Sequence, residues 1–244
     1  MNVFRAFHSD PAIKAKYVGR LQAHQLADQF VQGLYVNGED PETQEFRGCA
    51  VGCTLHRSTH EGYEIELGIP VALAYLHDIH FEQLSATEAP QFAVDFLQVI
   101  PVGADLSQVF DRWVMWTLSE IGGLVEDQPL KSLFEEGVRL YERRLQGDFV
   151  EREWIDLRSR ARALARALAR ARALARALDL DLAHDLDLAL ALDLARARDL
   201  ALDLAHDRAR ARARARDRDL AWRMSAEKLL ELLREAPVAE GVAQ

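Results

Sequence analysis

The densest gathering of residues able to do chemistry is the run Gly48-Cys49-Ala50-Val51-Gly52-Cys53-Thr54-Leu55-His56-Arg57-Ser58-Thr59-His60. It holds both cysteines of the chain and two of its eight histidines. On a continuous helix Cys49, Cys53, His56 and His60 fall within about 60° of one another. Cys53 with His56, or His56 with His60, has the spacing of a chelating pair, and a Cys/His donor set suits zinc or another transition metal. All four cannot surround one ion, because such a stripe is about 16 Å long. Ser58, placed to cap the next helix, also turns His60 out of the line. A second chemistry fits the same residues. Cys49 follows Gly48 at an expected helix start, where free N–H groups and the dipole lower a thiol pKa, and His56 is then the candidate base. The plainer reading makes both cysteines small buried hydrophobes. C-x-x-x-C is neither the redox nor the zinc-ribbon spacing, so the motif does not choose between them.

Two other clusters qualify. In His77-Asp78-x-His80 the histidines stand three apart on a helix and could ligate, although a solvated helix face accounts for them as well. Glu64 and Glu66 could serve as ligands or acid/base groups, or lie on the surface of a short helix. The chain has no phosphate-binding glycine loop, nucleophile elbow or His-Glu-x-x-His pattern.

The elements that carry these residues read as helices. Asp10-Pro11 is a cap followed by a first-turn proline. Ile13, Tyr17, Leu21 and Leu26 follow at helical spacing. A short helix is expected over Cys49 to His56, and Ser58 with Glu61 forms a capping-box pattern for the next one. Pro70, Thr87 with Pro90, Asp105 and Gln128-Pro129 each open a further helix; Gly122-Gly123 and Gly147 close two of them. No run alternates convincingly as a strand. The expected fold is all-α: a helical body over residues 1–150, a low-complexity helical tract over 151–222, and a short amphipathic helix and tail over 223–244.

The tract is unlike the body. Twelve of 13 glycines and six of seven prolines precede residue 148, and none of either lies between Asp148 and Ala236. From Ala161 to Trp222 the even positions are Arg, Leu or His up to Trp222, and the odd ones are Ala or Asp. Period two normally means a strand, but Ala, Leu and Arg are strong helix formers, and a strand of about 60 residues is far outside the usual 3–10. Ala and Asp codons begin with G, and Leu, Arg and His codons can begin with C. The alternation is therefore what an expanded hexanucleotide repeat would leave. On a helix, residues four apart share parity, so like charges stack, at a cost of a few tenths of a kcal/mol each. The charges are also blocked: seven Arg and no acid over 158–176, eight Asp and two Arg over 179–207, five Arg over 208–216. That order favours a chain that folds back or pairs with a partner over a free rod of roughly 100 Å. Beyond it, Leu229, Leu232 and Leu233 form one apolar stripe that must pack on the body or on another copy, and Pro237 ends the helix.

The net charge of −9 divides into −14 for the body and +5 for residues 158–222. The acidic body argues against a nucleic-acid-binding face there; the Arg blocks keep a weaker case for nucleic acid in the tract. With no h-region at its start, no membrane-length apolar run and only two cysteines, the chain is expected to be soluble and cytoplasmic, away from membranes.

Asp10-Pro11-Ala12-Ile13-Lys14-Ala15-Lys16-Tyr17, the Gly48–His56 run and Glu66-Leu67-Gly68-Ile69-Pro70 resemble segments of an uncharacterised family of bacterial and phage-borne proteins. Its members join such an N-terminal half to an alanine-rich, low-complexity C-terminal half. The resemblance implies the same two-part layout and brings no activity with it. This chain departs from the usual alanine/serine/aromatic tract by its strict dipeptide alternation. The expected function is that of a helical protein whose tract is a coiled-coil-like spacer or self-association element. The alternative is a thiol- or metal-dependent enzyme or sensor, with Cys49 and His56 catalytic or with Cys49, Cys53, His56 and His60 as ligands.

Overall fold

A computed structural model describes residues 5–33, 36–37, 47–57, 59–164, 166–167, 170 and 216–238. Over these residues the protein is all-α. The helices are α1 (Pro11–Leu26), α2 (Ala50–Leu55), α3 (Gly62–Leu67), α4 (Val71–Gln83), α5 (Ala89–Val99), α6 (Val109–Gly123) and α7 (Gln128–Leu145), followed by α8 over residues 151–164 and α9 over 216–234. The strands β1 (Val36–Asn37) and β2 (Arg47–Gly48) form one two-residue antiparallel ladder, with Val36 opposite Gly48. No described helix is long and apolar enough to cross a membrane.

The chain divides into two compact units, Met1–Val114 with Arg218–Gln244, and Met115–Asp217. The division does not follow the change in composition near residue 150. The reason is the second half of α9. Ala226, Leu229 and Leu233, with Ala236 beyond it, are buried in the same apolar core as α1, α4 and α5. Pro237 follows, and its carbonyl accepts the Asp105 N–H at 2.8 Å. Of the two partners open to the leucine stripe, α9 takes the body. The helix that follows the repeat tract in sequence thus belongs to the core of the first unit. The choice between rod and hairpin for residues 158–222 turns on residues 171–215, which lie outside those described.

Local chemistry sets most helix starts. Asp10 accepts the Ala12 N–H at 2.8 Å, with Pro11 in the first turn, and α1 then buries Tyr17, Leu21 and His24 along one stripe. Asp127 accepts the Leu130 N–H at 2.9 Å ahead of Pro129. Satisfying these first-turn donors is what Asp at the N-cap contributes. Two starts differ from expectation. α3 begins at Gly62 with Glu61 as its N-cap and no side-chain cap, so no capping box forms on the described residues. α6 begins at Val109, because Asp105 instead accepts the Ser107 N–H at 3.0 Å and holds a turn.

In the first unit α1 packs on α5, and α4 packs on α5 and α2. α4 is the central element. It buries Leu73, Ala74, Leu76, His77, Asp78, His80 and Phe81, which span an arc of about 200°, while Tyr75, Ile79 and Gln83 are exposed on the other side. The second unit joins the end of α6 to α7 and α8. A Cβ on Gly122 would stand 3.0 Å from Phe134 Cβ, and one on Gly137 would stand 3.0 Å from Leu118 Cδ1. A side chain at either position would make its neighbour give way by a few tenths of an ångström, so glycine eases the approach of α6 to α7. Tyr141 meets Trp154 edge-on at 4.7 Å and ties α7 to α8.

Candidate metal centre

Cys49 is the N-cap of α2, in extended conformation and 2% exposed. Its place is set from the preceding residue. The Val31 N–H bonds the Gly48 carbonyl at 2.9 Å, and the Gly48 N–H bonds the Gln29 carbonyl at 3.1 Å. β2 is thereby pinned to the loop after α1, and the next residue enters the core. Opposite it, α4 presents Asp78 and Glu82, four residues apart and so on one helix face. One donor atom each from Cys49, Asp78 and Glu82 lie within 4.8 Å of one another. Asp78 is 7% exposed. Its Oδ2 stands 3.3 Å from His60 Nε2, while its buried Oδ1 has no hydrogen bond of good geometry among the described residues. Tyr75 stacks on the His60 ring at 4.0 Å. Glu82 Oε2 accepts the Gly33 N–H at 2.7 Å.

The electrostatics are those of anions brought out of water. Burial pushes the Cys49 thiol up to about 12; the α2 N–H groups of Gly52 and Val51 pull it down, and the neighbouring Asp78 carboxylate pushes it further up. The helix-terminus effect expected from the sequence is present and is outweighed by desolvation. Burial also raises the Glu82 carboxyl.

The four residues singled out in the sequence are distributed over three places. Cys49 is in the cluster, and His60 backs it through Asp78. Cys53 is completely buried, and its thiol donates to the Gly48 carbonyl at 3.3 Å. Burial and then the nearby Cys49 push it up to about 12. His56 is the C-cap of α2 with φ 56°, so the helix ends before it, at the opposite end from Cys49. Its Nε2 lies 2.9 Å from His24 Nε2, and His24 Nδ1 is 2.5 Å from Gln29 Oε1. Because the Gln29 oxygen accepts from His24 Nδ1, His24 offers its Nε2 lone pair and His56 donates. Burial lowers both imidazoles, with the Arg20 cation adding to the effect. The structure therefore does not bring His56 to Cys49.

The remaining candidates have structural partners. His77 and His80 are both fully buried, not on a solvated face. His77 stacks on Phe96 at 4.2 Å, with Nε2 3.1 Å from the Ala93 carbonyl and Nδ1 2.7 Å from the Tyr63 hydroxyl. His80 bonds the Leu76 carbonyl at 2.7 Å and Ser225 Oγ on α9 at 2.9 Å. Glu64 accepts the Val71 N–H at 2.9 Å and so caps α4. Glu66 pairs with Arg57 and accepts from the Tyr17 hydroxyl. Sequence reasoning missed Glu82 and left Asp78 out of the ligand set. The available signal was the Asp78-x-x-x-Glu82 spacing.

No family model, no curated protein and no solved structure matches this chain.

Proposed function

We propose that the body is a binding domain for a divalent transition metal, held by Cys49 Sγ and by carboxylate oxygens of Asp78 and Glu82. One observation carries the reading: a thiol at the start of α2 and two carboxyl groups on α4 converge, and the buried Asp78 Oδ1 has no hydrogen bond of good geometry among the described residues. A buried polar atom without a partner costs about 1–3 kcal/mol, and a dication at this point would repay that cost. A thiolate with two carboxylates is a borderline donor set that favours zinc-like ions over calcium or magnesium. His60, beside Asp78, stands where an outer partner orients a ligating carboxylate. Ligands of one tetrahedral ion sit about 3.3–3.8 Å apart, given bond lengths of about 2.0–2.3 Å, so side-chain shifts of about 1 Å suffice. The thiol-nucleophile alternative has less support, since burial disfavours the thiolate and His56 lies at the other end of α2.

The test is cobalt(II) titration of the purified protein after chelation and dialysis. The expected result is a thiolate-to-cobalt charge-transfer band at one equivalent, lost in Cys49→Ser and weakened at least about tenfold in affinity in Asp78→Asn. A cobalt spectrum without a thiolate band, or a band that survives in Cys49→Ser, overturns the site.

A further inference from the structure

The two histidines that meet at the far end of α2 from Cys49 form a donor set of their own. His24 stands in the last turn of α1, and His56 is the C-cap of α2. Although 32 residues apart in sequence, their Nε2 atoms come to 2.9 Å, with the ring planes at 76°. The backbone sets both positions. After α1, the Gln29 N–H bonds the His24 carbonyl at 3.0 Å, which brings the Gln29 side chain back to His24 Nδ1 at 2.5 Å. At α2, the positive φ of His56 ends the helix, and the ring lies edge-on against His24. Gln29 Oε1 accepts the Nδ1 proton of His24 and leaves its Nε2 lone pair aimed at His56. An outer partner of this kind is what fixes the tautomer of a metal-ligating histidine. His24 is 7% exposed and His56 is exposed, so the pair is walled on one side and open to solvent on the other.

We infer that His24 and His56 form a second metal site, with Nε2 of each ring as a ligand, for a tetragonal divalent ion and for copper(II) above others. The separation selects the geometry. Cis ligands of a square-planar ion with bonds of about 2.0 Å stand about 2.8 Å apart, and those of a tetrahedral ion about 3.3 Å. The observed 2.9 Å matches the first. Imidazole suits copper(II), which also heads the affinity order of divalent first-row ions. Burial, with the Arg20 cation, holds both imidazoles below their ordinary value, so the neutral ligand form is the one present at pH 7. Arg20, whose Nη1 donates to the Thr54 carbonyl at 2.7 Å, opposes a dication as well, and that selects the ion with the strongest bond to imidazole. His56 gives up the Nε2 proton that it shares with His24 by taking its Nδ1-protonated tautomer through exchange with solvent. Both rings stay neutral, and no electron is transferred. The six residues of α2 span about 9 Å, so one ion cannot serve both this pair and Cys49.

The test uses the full chain carrying Cys49→Ser, so that its failure is distinct from failure of the Cys49 site. Copper(II) buffered with citrate should bind at one equivalent and give a tetragonal electron paramagnetic resonance spectrum split by two nitrogen nuclei. His56→Asn keeps a residue suited to the left-handed backbone. It should lower the affinity at least about tenfold, and Gln29→Ala should lower it about tenfold, as loss of a ligand's outer partner does. A spectrum with fewer than two nitrogens, or an unchanged affinity in either variant, overturns the inference. A further measurement does not depend on the folding of those variants. Substoichiometric copper(II) should broaden the imidazole proton resonances of His24 and His56 first, and broadening led by any other histidine overturns the site.

Discussion

The two units spend their residues differently. The first buries titratable groups: His24, His60, His77, Asp78, His80 and Asp111 are each 7% exposed or less. It also holds the described non-glycine residues with positive φ, namely Phe7, His8, Ser9, Asp28 and His56. Among described residues of the second unit, Leu140 is the one large hydrophobic side chain that is buried, and the unit's charges are met at the surface. Arg143 bonds Asp148 and Glu153, and Arg160 bonds Asp156 and Glu136. Desolvated polar groups and strained backbone persist only where a dense core over-determines them. The first unit has such a core, and the converging Cys49, Asp78 and Glu82 belong to it. The second has, among its described residues, half-buried apolar side chains and inexpensive surface pairs.

The largest test of that contrast is acid. Burial holds His77 down to about 3 and His80 down to about 4, against an ordinary value of 6.5. Below pH 6.5 the unfolded chain takes up protons that the folded chain refuses, so stability is full above that value and falls as pH drops toward 4. Each histidine should cost about 3 kcal/mol by pH 4. Denaturant unfolding of the first unit should show a midpoint falling steeply between pH 6.5 and 4, with a shallower fall in His80→Asn. A midpoint independent of pH over that range would contradict the buried placement of both rings. The second unit, whose described residues bury no histidine, should lose little over the same range.

A smaller effect separates the two cores directly. Leu229 on α9 is fully buried, whereas Leu133 on α7 is half-buried. Leu229→Ala should cost about 3 kcal/mol, within the range for a sealed core site. Leu133→Ala should cost about 1 kcal/mol, since a half-buried leucine has only part of its transfer energy to lose. Equal losses in urea unfolding would show that α9 is not built into the first core as described.

These contrasts also mark how far the sequence could be read. The helix starts at Asp10-Pro11 and Gln128-Pro129 and the stop at Gly147 follow from local sequence signals, and they needed no tertiary information. Cys49 at a helix start was legible for the same reason. His77 and His80 were not, because the exposed side of α4 carries the apolar Tyr75 and Ile79 while its buried side carries both histidines and Asp78. Periodicity identifies a face only when apolar residues keep to the buried side and polar ones to the wet side. The stripe joining Cys49 to His56 and His60 assumed a straight helix, and α2 instead ends at Leu55 with His56 left-handed. Glu82 became visible only when α2 and α4 were placed together, a contact between segments about 30 residues apart that no local pattern encodes.

The smallest expected effect concerns stored strain. Phe7 and His8 adopt φ/ψ of 55°/26° and 51°/28°, and Ser9 follows at φ 61°. Three successive L-residues in the left-handed region cost roughly 1–2 kcal/mol each. The turn survives because its surroundings hold it. Phe7 is fully buried, the Ala6 N–H bonds the Ala104 carbonyl at 2.9 Å, the Gly103 N–H bonds the Ala6 carbonyl at 2.8 Å, and His8 Nε2 reaches the Ile65 carbonyl at 3.1 Å. Ser9 is the position where strain can be relieved without loss, because it is half-buried and its hydroxyl makes no hydrogen bond among the described residues. Ser9→Gly should therefore stabilise the protein by about 0.5–1 kcal/mol, the relieved strain exceeding the extra freedom that glycine gains in the unfolded chain. His8→Gly should gain less, since it gives up the bond to Ile65. If Ser9→Gly instead lowers the thermal midpoint, the left-handed turn is not under strain, and the first unit holds its unusual backbone more cheaply than its dihedral angles imply.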